Sequence, residues 1–487
     1  MKAVRQAVID IGSNTVRLVV YAGLPRAPLP IYNEKSRVKL GACLAGDGII
    51  DKVTMKKALA ALARFETLAK AMKVDTMRVV ATAATREAKN GAELVEKAAA
   101  LGIHVEVLDG DAEATAAGFG ILSDNPIANG YVGDLGGGSL ELIRISDGKL
   151  GTRVSLPLGT LRHDILKGKT TKQISQMLRD DIAKAVGKAG FPIETGLPFY
   201  MIGGSWRTFA RLHMHQTGYP LTILSNYEMP ADAPEMMMPL VNDKDALTRS
   251  NVLAAGRISA LPGANALLAG ISGLLKPSTL ITSIYGLREG LLFEQLTPAE
   301  QQADPLIAAA QFEGERLGRF PFHGDALAQW MAPVFAGQSP NDARLCRAAC
   351  LLSDSVWNVN PEYRADHALD LALDGSWPGV NASDRAVIAA ALWTVHAGKR
   401  TLPEMLTALA TPGALAQAVI WGLAIRLAHR LDGGTGGALA DSRIDGDGAT
   451  LRLHLTGSAV RLQSNSVQRR LQALGEALGY AQAEILG

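Results

Sequence analysis

Two carboxylates, Asp10 and Asp134, each close an apolar run and are followed at once by a glycine turn that carries a hydroxyl. The first stands in "AVIDIGSNTVRLVVY" (residues 7–21), the second in "YVGDLGGGSLELIRI" (131–145). Glycine lets the backbone of such a turn approach an anionic oxygen closely, and successive N–H groups then form a concave nest for it. Gly12, Ser13 and Asn14 make one cradle of this kind, and Gly136, Gly137, Gly138 and Ser139 make another. Two cradles facing each other suit successive phosphates of a chain. A carboxylate at the end of each preceding strand suits Mg²⁺, a hard cation that prefers carboxylate, water and phosphate oxygens. Taken singly, either turn reads sooner as a tight hairpin whose aspartate bonds its own turn. The matched pair in one chain favours the phosphate reading.

The elements around the turns must hold them in place. Residues 53–72 form an amphipathic helix, with Val53, Leu59, Leu62, Phe65, Leu68 and Met72 on one side. "MRVVATAATR" (77–86) is a buried strand running into a polar turn, residues 91–100 are helical, "IHVEVL" is a strand and 111–120 a helix. The second half follows suit, with a strand at 199–203 and helices near 171–187, 244–260 and 262–275. "STLITSIYGLREGLLFE" (278–294) then reads as strand, turn and helix. Strands alternating with helices indicate an α/β fold. After Thr297-Pro298 the chain turns alanine-rich and helix-favouring to about residue 430. A Gly/Asp linker (432–448) leads to strands near 450–462 and a helix at 466–480.

Other phosphate and metal motifs fail. A Walker A loop needs a glycine where this chain has His163 before Gly168-Lys169-Thr170, and a Rossmann fingerprint needs a helix after its glycines, whereas both turns here run into strands. His213 and His215 lack acidic or cysteine company. The 487 residues carry 48% hydrophobic and 20% charged residues with a net charge of +2, which fits a globular chain of several domains and does not point to a nucleic-acid binder. Cys43, Cys346 and Cys350 cannot form a disulfide framework and read as core thiols. The N-terminus lacks a signal-peptide core, and the longest apolar run, Ala414 to Ile425, is too short to span a membrane. The expectation is a cytoplasmic protein with no membrane and no nucleic-acid partner.

Eight stretches in order resemble the exopolyphosphatase / guanosine pentaphosphate phosphatase (Ppx/GppA) family of the actin-like ATPase superfamily. They are "IDIGSNTVRLVV", "ATAATR", "DGDAEA", "GDLGGGSLEL", "SLPLGTLR", "GGSWRTFA", "RISALPGANAL" and "SIYGLREGLLFE", spanning roughly residues 5–295. The resemblance implies two actin-like (ribonuclease H-like) lobes, 1–125 and 126–297. It makes Glu113 the general base on the attacking water, with Glu141 beside it as a second catalytic acid. Asp10, Asp134 and Glu141 become the holders of Mg²⁺ or another divalent cation. Gly12, Ser13, Asn14 and Gly136, Gly137, Gly138, Ser139 become the phosphate-binding turns, joined by Arg86 and by Arg17. Two departures stand out. Ala112 replaces an acid next to Glu113, which touches auxiliary contacts rather than the base, and Trp206 replaces a small residue, which implies a narrower cleft.

Longer relatives append a helical region similar to the metal-dependent HD phosphohydrolases. Here 298–435 is expected to be a degenerate HD-like all-α domain, and 436–487 a small α/β domain. Within "CLLSDSVWNVNPEYRADHALDLAL" (350–373), Ser353-Asp354 stands where a working site needs His-Asp, while His367 and His396 remain. A structural role is expected, with Lys399, Arg400 and the arginines 344, 347, 426 and 430 either lining a substrate channel or serving as ordinary surface charges. The expected activity is hydrolysis of terminal phosphoanhydrides of inorganic polyphosphate. The appended region favours that substrate over guanosine penta- or tetraphosphate, since a long polyanion gains from an extended groove. An actin-like kinase and a non-catalytic alarmone or polyphosphate sensor are the alternatives; the resemblance also implies a homodimer.

Overall fold

The computed structural model describes residues 4–45, 47–160, 171–320, 322–398 and 401–487. The end of the "SLPLGTLR" stretch, His163 with Gly168-Lys169-Thr170, and Lys399-Arg400 lie outside the described residues. The chain divides into two compact units, Met1–Ala303 and Asp304–Gly487.

The first unit holds two sheets of one design. In lobe I the strands β1 (Gln6–Ile11), β2 (Thr15–Ala22), β3 (Leu29–Arg37), β4 (Thr76–Ala81) and β5 (Glu106–Val107) are ordered β3-β2-β1-β4-β5. Lobe II contains β6 (Gly130–Leu135), β7 (Leu140–Ser146), β8 (Lys149–Leu156), β9 (Phe199–Ile202), β10 (Tyr227–Pro230) and β11 (Thr279–Thr282). Read from its hairpin side it is β8-β7-β6-β9-β11, the same order, extended at the far edge by β10. In both sheets the first three strands are antiparallel and the next two join in parallel, while the extra edge strand β10 runs antiparallel to β11.

Both faces of each sheet are covered, which is why β1 and β6 read as continuous apolar runs rather than alternating ones. Ala7, Ile9 and Ile11 pack with Met55, Leu62 and Phe65 of helix α1 (Lys52–Ala71), whose first turn is capped by Asp51. Val8, on the other face, joins Val19, Tyr21 and Val80 against Ala116 and Leu291. Val132, Ile143 and Ile202 of lobe II likewise meet Ala114, Ala117 and Ile121. Ala114, Ala116 and Ala117 all belong to helix α4 (Gly110–Asp124), so this one helix is packed against both sheets. Its partner is the short helix Leu287–Phe293. A Cβ on Gly290 would stand 1.8 Å from the Ala116 carbonyl oxygen, and one on Gly120 would stand 2.4 Å from that of Gly286. The two helices therefore touch backbone to backbone.

Several expectations shift in detail. β4 ends at Ala81, and helix α2 (Ala83–Glu87) takes over where a polar turn was expected, while α3 (Gly91–Ala99) and α5 (Thr171–Lys188) form where helices were expected. The helix expected over 244–260 breaks into Lys244–Arg249 and Ala255–Ile258, because Asn251 between them adopts a left-handed φ of 53°. Among the described residues, the run with the length and hydropathy to cross a membrane is Gly256–Leu275 rather than Ala414–Ile425. It is largely buried, and its Leu261–Leu275 part belongs to the lobe II core. Cys43, Cys346 and Cys350 are all free and buried.

In the second unit the helix starts are legible. Asp304, Ser339 and Thr411 cap helices that open on proline at Pro305, Pro340 and Pro412. The helical stretch and the sheet β12 (Ser442–Asp447), β13 (Thr450–Leu455) and β14 (Gln482–Leu486) fall in one compact unit, since the helix Asn465–Leu478 packs on both Pro412–Asp432 and the sheet.

Candidate active site

Each glycine turn closes its hairpin with the same bond. The Gly12 N–H donates to the Thr15 carbonyl at 3.0 Å, and the Gly136 N–H to that of Ser139 at 3.0 Å. The carbonyls of both turns are tied down by the segment after the third strand. Lys39 and Gly41 donate to Asn14 and Ser13 at 3.0 and 2.7 Å; Gly159 and Thr160 donate to Gly138 and Gly136 at 3.3 and 3.1 Å. With its carbonyls occupied, a turn keeps N–H groups to offer an anion, and those of Ser13 and Asn14 have no partner among the described residues.

Strand register then fixes the charged side chains. Asp10 lies opposite Arg17 across β1 and β2, and Asp134 lies opposite Glu141 across β6 and β7. Directly opposed residues share one face. Asp10 and Asp134 have the parity of Val8 and Val132, so both pairs project toward the side where α4 packs.

Two arginines enter from helices that follow the central parallel strands. Arg86 on α2 and Arg207 on helix α6 (Gly204–Gln216) are each the fourth residue past the N-caps Thr82 and Gly203. The Arg86 Nη1 donates to the Glu113 Oε2 at 3.1 Å and to the Leu108 carbonyl at 2.7 Å. Glu113 itself is in the first turn of α4, capped by Asp109. In lobe II the Leu287–Phe293 helix places Arg288 and Glu289 in its first turn. Arg288 Nη1 lies 3.4 Å from Asp10 Oδ2, while Glu289 accepts from the Tyr21 hydroxyl at 2.5 Å and from the Gly286 N–H at 3.0 Å.

The carboxylates perturb one another. Burial pushes Glu113 up to about 7 against the pull of Arg86, and Asp134 and Asp10 add to the rise. Burial likewise takes Asp134 to about 6, against Arg207. Glu141 goes well above the usual carboxylate range through burial and then repulsion from Glu113 and Asp134, although the Ser155 hydroxyl donates to it at 2.9 Å. Asp10 rises less freely, because Arg288 and Arg17 oppose its burial. Burial, then Arg288, brings Arg207 down to about 10. Such a set, carboxylates poised between charge states beside guanidinium groups, suits proton abstraction next to a phosphate.

Among the described residues, no three His, Cys, Asp or Glu side chains stand close enough to hold a metal ion by themselves. The donor chemistry still fits Mg²⁺, which is commonly held through one or two carboxylates while water and substrate phosphates complete its shell. Asp134 and Glu141, opposed and mutually repelling, are such carboxylates.

All the acids and arginines expected from the sequence lie on these elements. Arg207, Arg288, Glu289, Tyr21 and Ser155 were not singled out, although all five stand in stretches that were quoted. Trp206 does not narrow the cleft. It is fully buried in the lobe II core, edge-on to Phe199, with its Nε1 donating to the Ala264 carbonyl at 3.0 Å. His213 is a core residue bonded to the Tyr227 hydroxyl at 2.7 Å.

In the second unit Asp354 gives its carboxylate to Arg319, which donates from its backbone N–H and Nη2, each at 2.7 Å. His367 lies exposed on the helix Arg364–Asp374 and takes no part. Ser353 meets His429 at 3.2 Å, with His323 against that ring, and His396, buried and brought down to about 4 chiefly by that burial, bonds to the Ser353 backbone. Arg344 and Arg347 are paired to Asp304 and Asp325.

Residues 19–299 match the Ppx/GppA phosphatase family, and residues 306–485 match the family described as exopolyphosphatase, C-terminal. The guanosine-5'-triphosphate,3'-diphosphate pyrophosphatase of Aeromonas salmonicida is 23% identical over 403 residues, 80% of each chain. Retrograde regulation protein 2 of Saccharomyces cerevisiae is 24% identical over 344 residues, 62% of this chain and 58% of that protein. A solved Ppx/GppA family member from Aquifex aeolicus covers 61% of this chain and 100% of its own at 22% identity, with a TM-score of 0.54. An exopolyphosphatase from Cytophaga hutchinsonii covers 59% and 96% at 22% identity, with a TM-score of 0.52. These two structures share the fold over about three fifths of this chain. With more than half its length matched to one family and the paired glycine hairpins in place, the chain belongs to the Ppx/GppA phosphatases.

Proposed function

We propose that this phosphatase is an exopolyphosphatase, cutting the terminal phosphoanhydride of inorganic polyphosphate and releasing orthophosphate. The observation that carries the reading is Glu113: a buried carboxylate pushed up to about 7, held by Arg86 and facing three further acids, Asp134, Asp10 and Glu141. The turn N–H groups of Ser13, Asn14 and the Gly136–Ser139 turn grip the phosphate chain, and Arg86, Arg17 and Arg207 spread positive charge over its oxygens. Glu113 takes a proton from water, whose oxygen bonds to the terminal phosphorus as the bridging P–O bond breaks. Asp10, Asp134 and Glu141 are the residues to hold Mg²⁺ or a similar cation, which when bound offsets phosphate charge. Positioning and charge account for most of the acceleration in such a transfer.

The match of residues 306–485 to the exopolyphosphatase C-terminal family supports polyphosphate as substrate. A guanosine pentaphosphate 5'-phosphohydrolase is the second reading, supported by the Aeromonas relative that aligns over 80% of both chains. The helical part of the second unit belongs to the proposal as an HD-like scaffold without chemistry of its own, Asp354 being committed to Arg319. A cytoplasmic homodimer completes it, with three free buried cysteines in keeping with a reducing compartment. The test is phosphate release by the purified chain with Mg²⁺, offered long-chain polyphosphate and guanosine pentaphosphate separately. Faster release from polyphosphate supports the proposal, preference for the nucleotide supports the second reading, and binding without release from either refutes both.

A further inference from the structure

Four arginines of the second unit collect where two helices pack. Arg426 and Arg430 stand one turn apart on the helix Pro412–Asp432, and Arg469 and Arg470 are adjacent on Asn465–Leu478. Arg426, Arg469 and Arg470 line a cavity of about 370 Å³, with Ser466 and Gly398 at its wall. Their bonds go to backbone only. Arg426 Nη1 donates to the Val395 carbonyl at 2.8 Å, Arg470 Nη1 to the Arg426 carbonyl at 2.6 Å, and Arg469 Nε to the Asn465 carbonyl at 3.4 Å. None of the four meets a carboxylate among the described residues. By contrast Arg319, Arg344 and Arg347 of the same unit each sit within 3 Å of an aspartate.

This crowding of like charge has consequences. Burial, followed by repulsion from Arg426, Arg430 and Arg469, brings Arg470 down to about 10. Burial lowers Arg426 as well. Guanidinium groups so placed are short of a counter-charge. The cavity wall is also built to keep Arg426 reachable. Gly398 ends the helix Ala382–Ala397 in the left-handed conformation, at φ 64°, and a Cβ there would stand 2.4 Å from Arg426 Nη2. Any side chain at 398 would press on the guanidinium that lines the cavity.

We propose that this arginine-walled cavity binds a compact, multiply charged phosphate anion of the inorganic triphosphate class, at a site wholly within the second unit. Each guanidinium presents five N–H donors in a planar fork that matches phosphate oxygens two at a time, and the bonds to backbone leave most of them free. The Ser466 hydroxyl and the opening turn of Asn465–Leu478, capped by Ser464, add donors of the same polarity. A volume near 370 Å³ lies in the range of small-molecule pockets and is too small for a folded polyanion. Nothing in this site depends on the reading of the cleft in the first unit.

The test is calorimetric titration of the full chain carrying Glu113→Gln, so that inorganic triphosphate is not consumed. Two binding events are expected. The double substitution Arg469→Ala/Arg470→Ala should weaken one of them at least tenfold and leave the other unchanged, with far-UV circular dichroism confirming the fold. Loss of the cleft event alone would refute the cleft reading and leave this site standing. Binding unchanged in the double variant would overturn it. Because Arg470 also holds a helix carbonyl, a second measurement uses the unsubstituted chain: phenylglyoxal labelling mapped by peptide mass. Triphosphate should slow labelling of Arg426 and Arg469 several-fold, and labelling at an unchanged rate would equally overturn the proposal.

Discussion

In lobe I the hairpin aspartate, Asp10, faces Arg17 across the strand pair and reaches Arg288 at 3.4 Å. In lobe II the matching aspartate, Asp134, faces Glu141 and forms no ion pair among the described residues. The backbones hardly differ, since both turns close through a 3.0 Å bond and both are tied down from behind. A duplicated scaffold has thus been given opposite charges on its two copies. Lobe I surrounds its acid with cations, which favours phosphate oxygens directly. Lobe II leaves its acids repelling one another, which favours a cation. The helix acids part in the same way. Glu113 is poised to accept a proton, whereas Glu289 spends both oxygens on Tyr21 and the Gly286 N–H.

The most severe way to break this comparison is to exchange its two helix acids for amides. Glu113→Gln should lower turnover roughly 10²–10⁴-fold while binding persists. Glu289→Gln should lower it by less than about tenfold, a barrier change under about 1.4 kcal/mol. Equal losses in steady-state phosphate release would abolish the distinction. Next come the strand partners. Asp134→Asn should raise the Mg²⁺ concentration for half-maximal activity by at least about 10–100-fold, the loss that even a supporting partner of a metal site produces. Arg17→Gln should leave the Mg²⁺ requirement in place and raise KM instead. A shared shift in Mg²⁺ requirement would count against the division of roles.

A smaller effect separates structure from chemistry at Glu289. Tyr21→Phe leaves a buried carboxylate without a donor and should cost about 1–3 kcal/mol of stability in urea unfolding, with kcat little changed. Unaltered stability would mean that the bond carries no weight. The smallest effect is on pH. Folded Glu113 holds its proton up to about pH 7, whereas the unfolded group releases it near its ordinary value of 4.5. The folded state therefore binds more protons between those values. The stability this contributes is present below about pH 4.5 and lost as pH rises through 7, at no more than about 1.4 kcal/mol per pH unit. Without divalent cations, Glu113→Gln should flatten that decline between pH 5 and 8, and parallel slopes for the two proteins would contradict it.

What the sequence disclosed depended on contiguity. Both cradles are runs of neighbouring residues, so their chemistry is visible in a few letters, and the repeat between them announces the duplication. Arg207 and Arg288 belong to the same constellation but arrive from other elements. Only the common strand order, which puts Arg207 in lobe II where Arg86 stands in lobe I, points to the first. Trp206 misled because adjacent helical residues diverge by about 100°: Arg207 turns toward the acids while Trp206 enters the core. Strand β3 escaped because its apolar start, Leu29 to Tyr32, contains a proline and gives way to the polar run Asn33–Arg37, with no side chain fully buried to mark it as core. His323 and His429 come from distant helices, and no spacing rule joins them.

The crossing of α4 with the Leu287–Phe293 helix has a bearing on mutational tolerance. Glu113 rides on one helix and Arg288 on the other, and what sets their separation is contact between main chains at Gly120 and Gly290. Side chains elsewhere in the lobes are able to drift in size and be accommodated by their neighbours. A methyl group at position 290 has no such neighbour to yield, because it meets a carbonyl oxygen at 1.8 Å. A residue with no side chain thereby holds as tight a grip on the reaction as the acid it positions, and inactive variants are expected there that touch no substrate.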